Sequence, residues 1–548
     1  MRRFPVRATI AALSVAFLSS SPGGASRAAE LGAVSFPNSG AEEAQGVFLD
    51  GLALLHSFEY EEAAEAFRAA QWLDPGFAMA YWGEALTYNH PVWLEQNAEA
   101  ARAVLARLGA TPPERLAKAP TEREQEWLRA VETLFGAGEK HERDRLYEES
   151  MAGLLRNHPA DPEAAAFAAL AILGTAHQGR DFATYMKAAA IVEEAYRSHP
   201  RHPGLLHYQI HCYDDPIHAP LGLRAARAYA EVAPGAPHAQ HMTSHIFVGL
   251  GMWDDVVTAN EIATGAVNRK RAPLGHGTRR CGHYNFWLLY GYAQQGRGEK
   301  AREILEACRL EAQDSPGTAA LDVDRSNLHS FLGMRARYLI DLEAWDDAAR
   351  SGIARNDTAP EIVIPRESAP ERVTFDFTEG LVAARRGDRD TLAAARARLS
   401  VDRRDLAAHV ESQPDDDGPA TLERAAILEL ELEGLAARLA GNPATAIAKL
   451  EEAVRKEEAL PLMFGPPFID QPSHELLGEL LLEQGRGRDA MAAYEKALAR
   501  TPGRVAALSG LARACEQAGD SKRAAELKER LLALRPPRRD PPLAPATR

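Results

Sequence analysis

The chain has 548 residues, a formal net charge of −14 and four cysteines. Its composition, 46% hydrophobic, 26% charged and 7% aromatic, excludes a disordered chain, and the acidic balance excludes a general nucleic-acid binder, which needs a basic face. Four cysteines over this length also exclude the disulfide framework of a small secreted domain.

The first element in chain order is an address. Arg2, Arg3 and Arg7 precede a short apolar run at residues 8–20, and Ser26 and Ala28 set up cleavage after Ala28. This pattern predicts a secretory signal peptide over residues 1–28. The segment carries four arginines and no acid, so its removal takes the charge from −14 to −18. No later segment has 18 consecutive apolar residues, so no membrane span is expected. The expectation is an exported soluble protein, periplasmic in a Gram-negative cell.

A 34-residue period follows. Gly51, Leu54, Ala63, Phe67, Ala70 and Pro75 set the frame near the N-terminus. Residues 109–121, with Pro112 and Pro113, interrupt it, and Thr121 with Glu124 three residues on predicts a capping-box helix start. Repeat-like spacing returns at Gly251, Trp253 and Ala263, at Gly296, Ala301 and Leu305, at Ala336 and Ala348, and at Gly434, Gly441, Ala446 and Leu450. Residues 356–372 and 411–420 read as loops, with residues 361–365 the one short strand candidate. Residues 459–472 are too proline-rich for a helix. Beyond them Leu477, Gly478, Leu481, Gly485, Ala490, Tyr494, Ala497 and Pro502 repeat 34 residues later as Leu511, Ala512, Cys515, Gly519, Ala524, Lys528, Leu531 and Pro536, with only Lys528 out of character. Small residues let two antiparallel helices approach, aromatics fill the gap, and proline ends the second helix. One such hairpin cannot bury its apolar face alone, so neighbours stack.

This spacing resembles the tetratricopeptide repeat family. The resemblance covers most of residues 41–536 and implies an all-α, right-handed solenoid of about ten to thirteen stacked hairpins. It divides the chain into a repeat region at 41–355, a degenerate helical region with loops at 356–470, two C-terminal repeats at 471–536 and a disordered proline-rich tail at 537–548. The segments His241-Met242-Thr243-Ser244-His245-Ile246-Phe247, Leu250-Gly251-x-Trp253, Pro472-Ser473-His474-Glu475 and Ala78 to Gly83 also resemble bacterial exported proteins of that type. No activity follows from the likeness.

Histidine carries the chemistry. Residues 199–283 hold ten of the 18 histidines. His207 and His211 are four apart, His241 and His245 are four apart, and the second pair follows the first by 34; His177 lies 34 before His211. Residues four apart share one helix face, and equivalent faces of stacked helices can converge on one centre. The resemblance places this face on the concave groove of the solenoid. His238, His283 and Asp214 fall on the same wall. Imidazoles with one carboxylate suit copper, zinc or iron rather than calcium or magnesium. Asp214 is either a ligand or an orienter of an imidazole. Tyr208 and Tyr290 are candidate proton handlers or packing residues, and Cys212 and Cys281 candidate thiolates. Cys308 and Cys515 read as buried small hydrophobes. Eleven residues inserted within 269–282 bring Arg279 and Arg280 to the mouth of the wall as a lid or anion clamp.

The reading is an exported solenoid with a histidine-rich site for a transition metal or small ligand. Two others stand beside it: a plain scaffold binding a peptide or protein along the groove, and a metal-dependent oxidase or hydrolase. An anionic small molecule is a further candidate partner; nucleic acid is not. Ligation needs neutral imidazoles, so metal should be lost as pH falls through about 6.5.

Overall fold

The computed structural model describes residues 30–314, 326–350, 353–354, 362–366, 368–412 and 418–535. The expected signal peptide and the C-terminal tail lie outside the described residues, as do parts of the two expected loops. Among the described residues twenty-four α-helices follow one another, most of them packed against the next. The fold is an α-solenoid.

Local rules account for the hairpins. Thr121 caps the Glu122–Leu134 helix and Glu124 returns the bond, as the spacing predicts; Thr111 and Glu114 do the same at Pro112–Leu116. Proline opens the Pro162–Leu173, Pro203–Tyr213, Pro237–Leu250 and Pro443–Ala459 helices, where its missing amide costs nothing. A Cβ on Gly478 would lie 2.7 Å from the Tyr494 ring, so glycine there lets Ser473–Glu483 and Gly487–Arg500 close on that ring. Gly51 and Gly83 make the same room for Phe67.

The strand candidate holds: Ile362–Val363 pairs in parallel with Ile353–Ala354. A second two-residue ladder, Asn89–His90 against Glu95–Gln96, has no counterpart in the sequence reading. Among the described residues no helix is long and apolar enough to cross a membrane.

The solenoid folds back on itself. At the N-terminal end the Ala33 amide donates to Arg201 O at 3.0 Å and the Tyr229 hydroxyl to Ser57 Oγ at 3.2 Å. At the C-terminal end Trp253 Nε1 donates to Gly503 O at 3.0 Å, and the Val505 amide to Gln294 Oε1 at 2.9 Å. Gly251 and Gly503, with φ of 68° and 77°, touch backbone to backbone there, an approach and a conformation that a side chain would oppose. Arg504 then binds Asp341 and Glu475, each at 2.6 Å, with all three side chains buried. Helices 203–294 are therefore gripped from both ends of the chain. This closure changes one expectation: the histidine wall does not face an open groove but lies in the interior.

Candidate metal centre

Every residue of the Pro203–Tyr213 helix is buried, and so are the first twelve of Pro237–Leu250. A helix buried on all sides is ordinarily apolar; these two carry His207, His211, His238, His241 and His245. His283 opens the His283–Gln294 helix, which is less completely buried, and is itself half-buried.

The six histidines form two groups. One ring nitrogen from each of His207, His211 and His238 lies within 4.8 Å of the others, and the same holds for His241, His245 and His283. The groups adjoin, with ring centroids 6.0 Å apart for His238 and His241 and 6.1 Å for His211 and His245.

Hydrogen bonds outside the groups set the ring tautomers. His207 Nδ1 is 2.7 Å from the His56 carbonyl, so it carries the proton and Nε2 is bare. That Nε2 faces His211 Nε2 at 3.1 Å. Asn260 donates to Val256 O at 2.8 Å, which fixes its Oδ1 as the acceptor for His241 Nδ1 at 2.7 Å. Asp214 Oδ2 accepts from His245 Nδ1 at 2.6 Å. His241 Nε2 and His245 Nε2, both bare, then face each other at 3.0 Å. His238 Nε2 is buried and has no hydrogen-bond partner.

Burial holds five of the six rings neutral. Desolvation, reinforced by neighbouring imidazoles, pulls His207 and His283 down to about 3 and His211, His238 and His241 well below the usual histidine range.

Aromatic rings wall the chamber. Phe58 lies 4.3 Å from His207 and 5.6 Å from His238; Trp287 lies 4.3 Å from His245; Tyr284 lies 4.7 Å from His241. Trp93 reaches His211 and His238, and Phe464, from the proline-rich 459–472 segment, lies 5.4 Å from His245. Two of the three described non-glycine residues with positive φ, Phe58 at 54° and Leu94 beside Trp93 at 58°, flank the site. Backbone strain of this kind persists only where the surroundings enforce it.

A third group of donors behaves differently. His56 Nε2 and His202 Nε2 bond the two oxygens of Glu163 at 2.6 and 3.0 Å. His56 Nδ1 meets Tyr208 OH at 2.9 Å, and His202 Nδ1 accepts from the Leu205 amide at 3.2 Å as a helix cap. All four ring nitrogens are engaged. Burial raises the Glu163 carboxyl, but His202 and His56 outweigh it and hold the group well below the usual carboxylate range. A side chain on Gly204 would strike the His56 ring, so glycine there admits the network.

The other sequence candidates fall elsewhere. Asp214 stands behind His245 and is not among the clustered donor atoms. His177 bonds Asp144 at 2.8 Å and stacks on His141, apart from both groups. Tyr208 belongs to the Glu163 network, and Tyr290 packs on Trp253. Arg279 and Arg280 sit in the 272–282 loop, their backbone amides tied to Asn268 and Glu311. Cys281 and Cys308 form a disulfide, so neither is a thiolate or a free buried thiol. Burial pushes the Cys212 thiol up to about 12, which removes it as a thiolate at neutral pH. Sequence reasoning missed Glu163, Asn260, Phe58 and Phe464.

The tetratricopeptide repeat family model matches residues 481–542. That segment is similar to tetratricopeptide repeats. It includes the Gly487–Arg500, Val505–Ala518 and Ser521–Leu534 helices of the last repeats. Solved structures similar to this chain include a human IFIT1 dimer with PPP-AAAA (13% identity, 90% of each chain, TM-score 0.35). The APC/C hetero-tetramer Cut9–Hcn1 is another (12% identity, 91% of this chain and 95% of that chain, TM-score 0.28). No curated protein matches the sequence.

Proposed function

We propose that this protein is an exported tetratricopeptide solenoid whose interior holds a histidine site for transition-metal ions. The observation that carries this is the 3.0 Å approach of His241 Nε2 to His245 Nε2 while Asn260 and Asp214 occupy both Nδ1 protons. Two lone pairs so placed repel unless a cation lies between them. Burial lowers His241 well below its usual range, which disfavours a proton on that ring at neutral pH. A metal ion gains several nitrogen bonds at once. Ligands about 2.0–2.1 Å from a tetrahedral ion stand about 3.3 Å apart, close to the 3.0 and 3.1 Å of the two facing pairs.

The outer hydrogen bonds fit the same role. Metal-binding histidines donate their other ring nitrogen to a carbonyl, an amide oxygen or a carboxylate, which orients the ring and raises its basicity. His207, His241 and His245 use one of each. Three nitrogens leave a coordination position open, as in catalytic rather than structural sites. Export is supported by the leader pattern of residues 1–28 and by the Cys281–Cys308 bridge, a bond that persists in oxidising compartments.

Elemental analysis tests the reading, on protein purified without a polyhistidine tag or chelator and beside the His207→Ala/His241→Ala variant. The expected result is stoichiometric copper, zinc or iron in the parent and its loss in the variant. No metal in the parent, and no uptake from added salts, would overturn it and leave a scaffold for peptide or protein partners.

A further inference from the structure

The metal reading leaves open how many ions bind and of what charge. Six histidines exceed the needs of one ion, which takes four ligands in the usual tetrahedral site. Their division is not arbitrary. His207, His211 and His238 bring three nitrogens together, and His241, His245 and His283 bring three more. Each group contains one facing Nε2 pair from a single helix turn, at 3.1 and 3.0 Å. Each draws its third member from an adjoining turn or helix: His238 begins Pro237–Leu250 and His283 begins His283–Gln294. The two groups touch along His238–His241 and His211–His245.

Charge selects the ion. Neither group contains a carboxylate. Of the acids nearby, Asp215 is tied to Arg180 at 2.8 Å, and Glu59, which accepts from the His238 amide at 2.9 Å, has Lys270 at 3.8 Å. Asp214, behind His245, is the carboxylate that faces the groups, and its ion-pair partner is that imidazole. Two divalent ions would bring four positive charges against one negative charge in a buried, aromatic-walled chamber. Uncompensated charge is costly there. Two monovalent ions halve the burden, and copper is the imidazole-binding transition metal with a stable monovalent state.

We propose that the chamber holds two copper(I) ions, one on each histidine triad. The two sites adjoin, so a small ligand entering the chamber meets both ions. This inference rests on the metal reading above and can fail without it.

The test is an anaerobic titration of the full-length mature protein with copper(I), held at low free concentration by a chromogenic copper(I) chelator. The expected stoichiometry is two equivalents for the parent. His238→Ala removes one triad and His283→Ala the other, so each should bind one equivalent, and the double variant none. Circular dichroism confirms that the variants fold; if one does not, the parent stoichiometry still decides. One equivalent in the parent would overturn the two-ion site while keeping the metal reading. None, with no other metal taken up, would overturn both. Both equivalents lost from one correctly folded single variant would overturn the assignment of one ion per triad. Excess zinc(II) should not displace the copper, and displacement would overturn the choice of a monovalent ion.

Discussion

The chamber and the Glu163 network are built from the same material and are finished differently. Both lie in the interior, both are made of imidazoles, and both have donor atoms within 4.8 Å of one another. In the network, each nitrogen of His56 and His202 has a partner, and a carboxylate takes the two protons between them. In the chamber, His207, His241 and His245 have their partners on the outside, and the bare nitrogens point inward at one another. A cluster of histidines is therefore not in itself a metal site. What separates the two is where the protons are held. The network also supports the chamber directly, because His56 supplies the carbonyl that orients His207.

The comparison breaks most visibly at Glu163. Glu163→Ala strands the ring protons of His56 and His202 in a dry interior, and each buried donor left without an acceptor costs about 1–3 kcal/mol. Urea unfolding should show that loss, and added metal should not restore the network. A midpoint unchanged from the parent would contradict a structural role.

Next in size is the effect of metal on the chamber. An ion that binds only the folded state stabilises it by about 2.7 kcal/mol at a hundredfold excess over Kd. Thermal melts should rise on metal addition in the parent and stay still in His207→Ala/His241→Ala. A similar rise in both would place the binding elsewhere.

Asp214→Asn sharpens the comparison further. It keeps the shape beside His245 but weakens the acceptor, and loss of such a partner typically weakens metal binding about 10–100-fold. Competition against a chelator measures it, and an unchanged affinity would show that Asp214 does not act through His245.

The last effect is on pH. His207 and His283 sit near 3 in the folded protein against about 6.5 when unfolded. Their folded pKa values are depressed, so the unfolded chain takes up protons first on acidification. The stability they contribute is present above 6.5 and is lost as pH falls from 6.5 towards 3. Denaturant midpoints of the metal-free protein should decline already between pH 6.5 and 5, above the range where ordinary carboxylates titrate. The same depression moves imidazole protonation well below the 6.5 expected from free histidine, so bound metal should survive to lower pH than the sequence implied.

How legible each part was follows from the range of its contacts. The repeats were readable because their packing is between neighbours: Gly478 and Gly510 both press on Tyr494, all within one period. The facing histidine pairs were readable because one helix turn carries both members. That the wall is closed was not readable. Phe58 and Trp93 come from before it and Phe464 from far after it, and they meet there only because the solenoid closes on helices 203–294. Glu163 and Asn260 carry no motif, and their meaning lies wholly in what they accept. Cys281 and Cys308 are 27 residues apart with no framework around them, so nothing in the spacing marked them as a pair.

The most direct measurement is anomalous diffraction at the metal absorption edges from crystals of the metal-loaded protein. The account predicts anomalous peaks between His207 and His211 and between His241 and His245, with none at Glu163. An empty chamber under metal excess, or a peak on the Glu163 network instead, would contradict it.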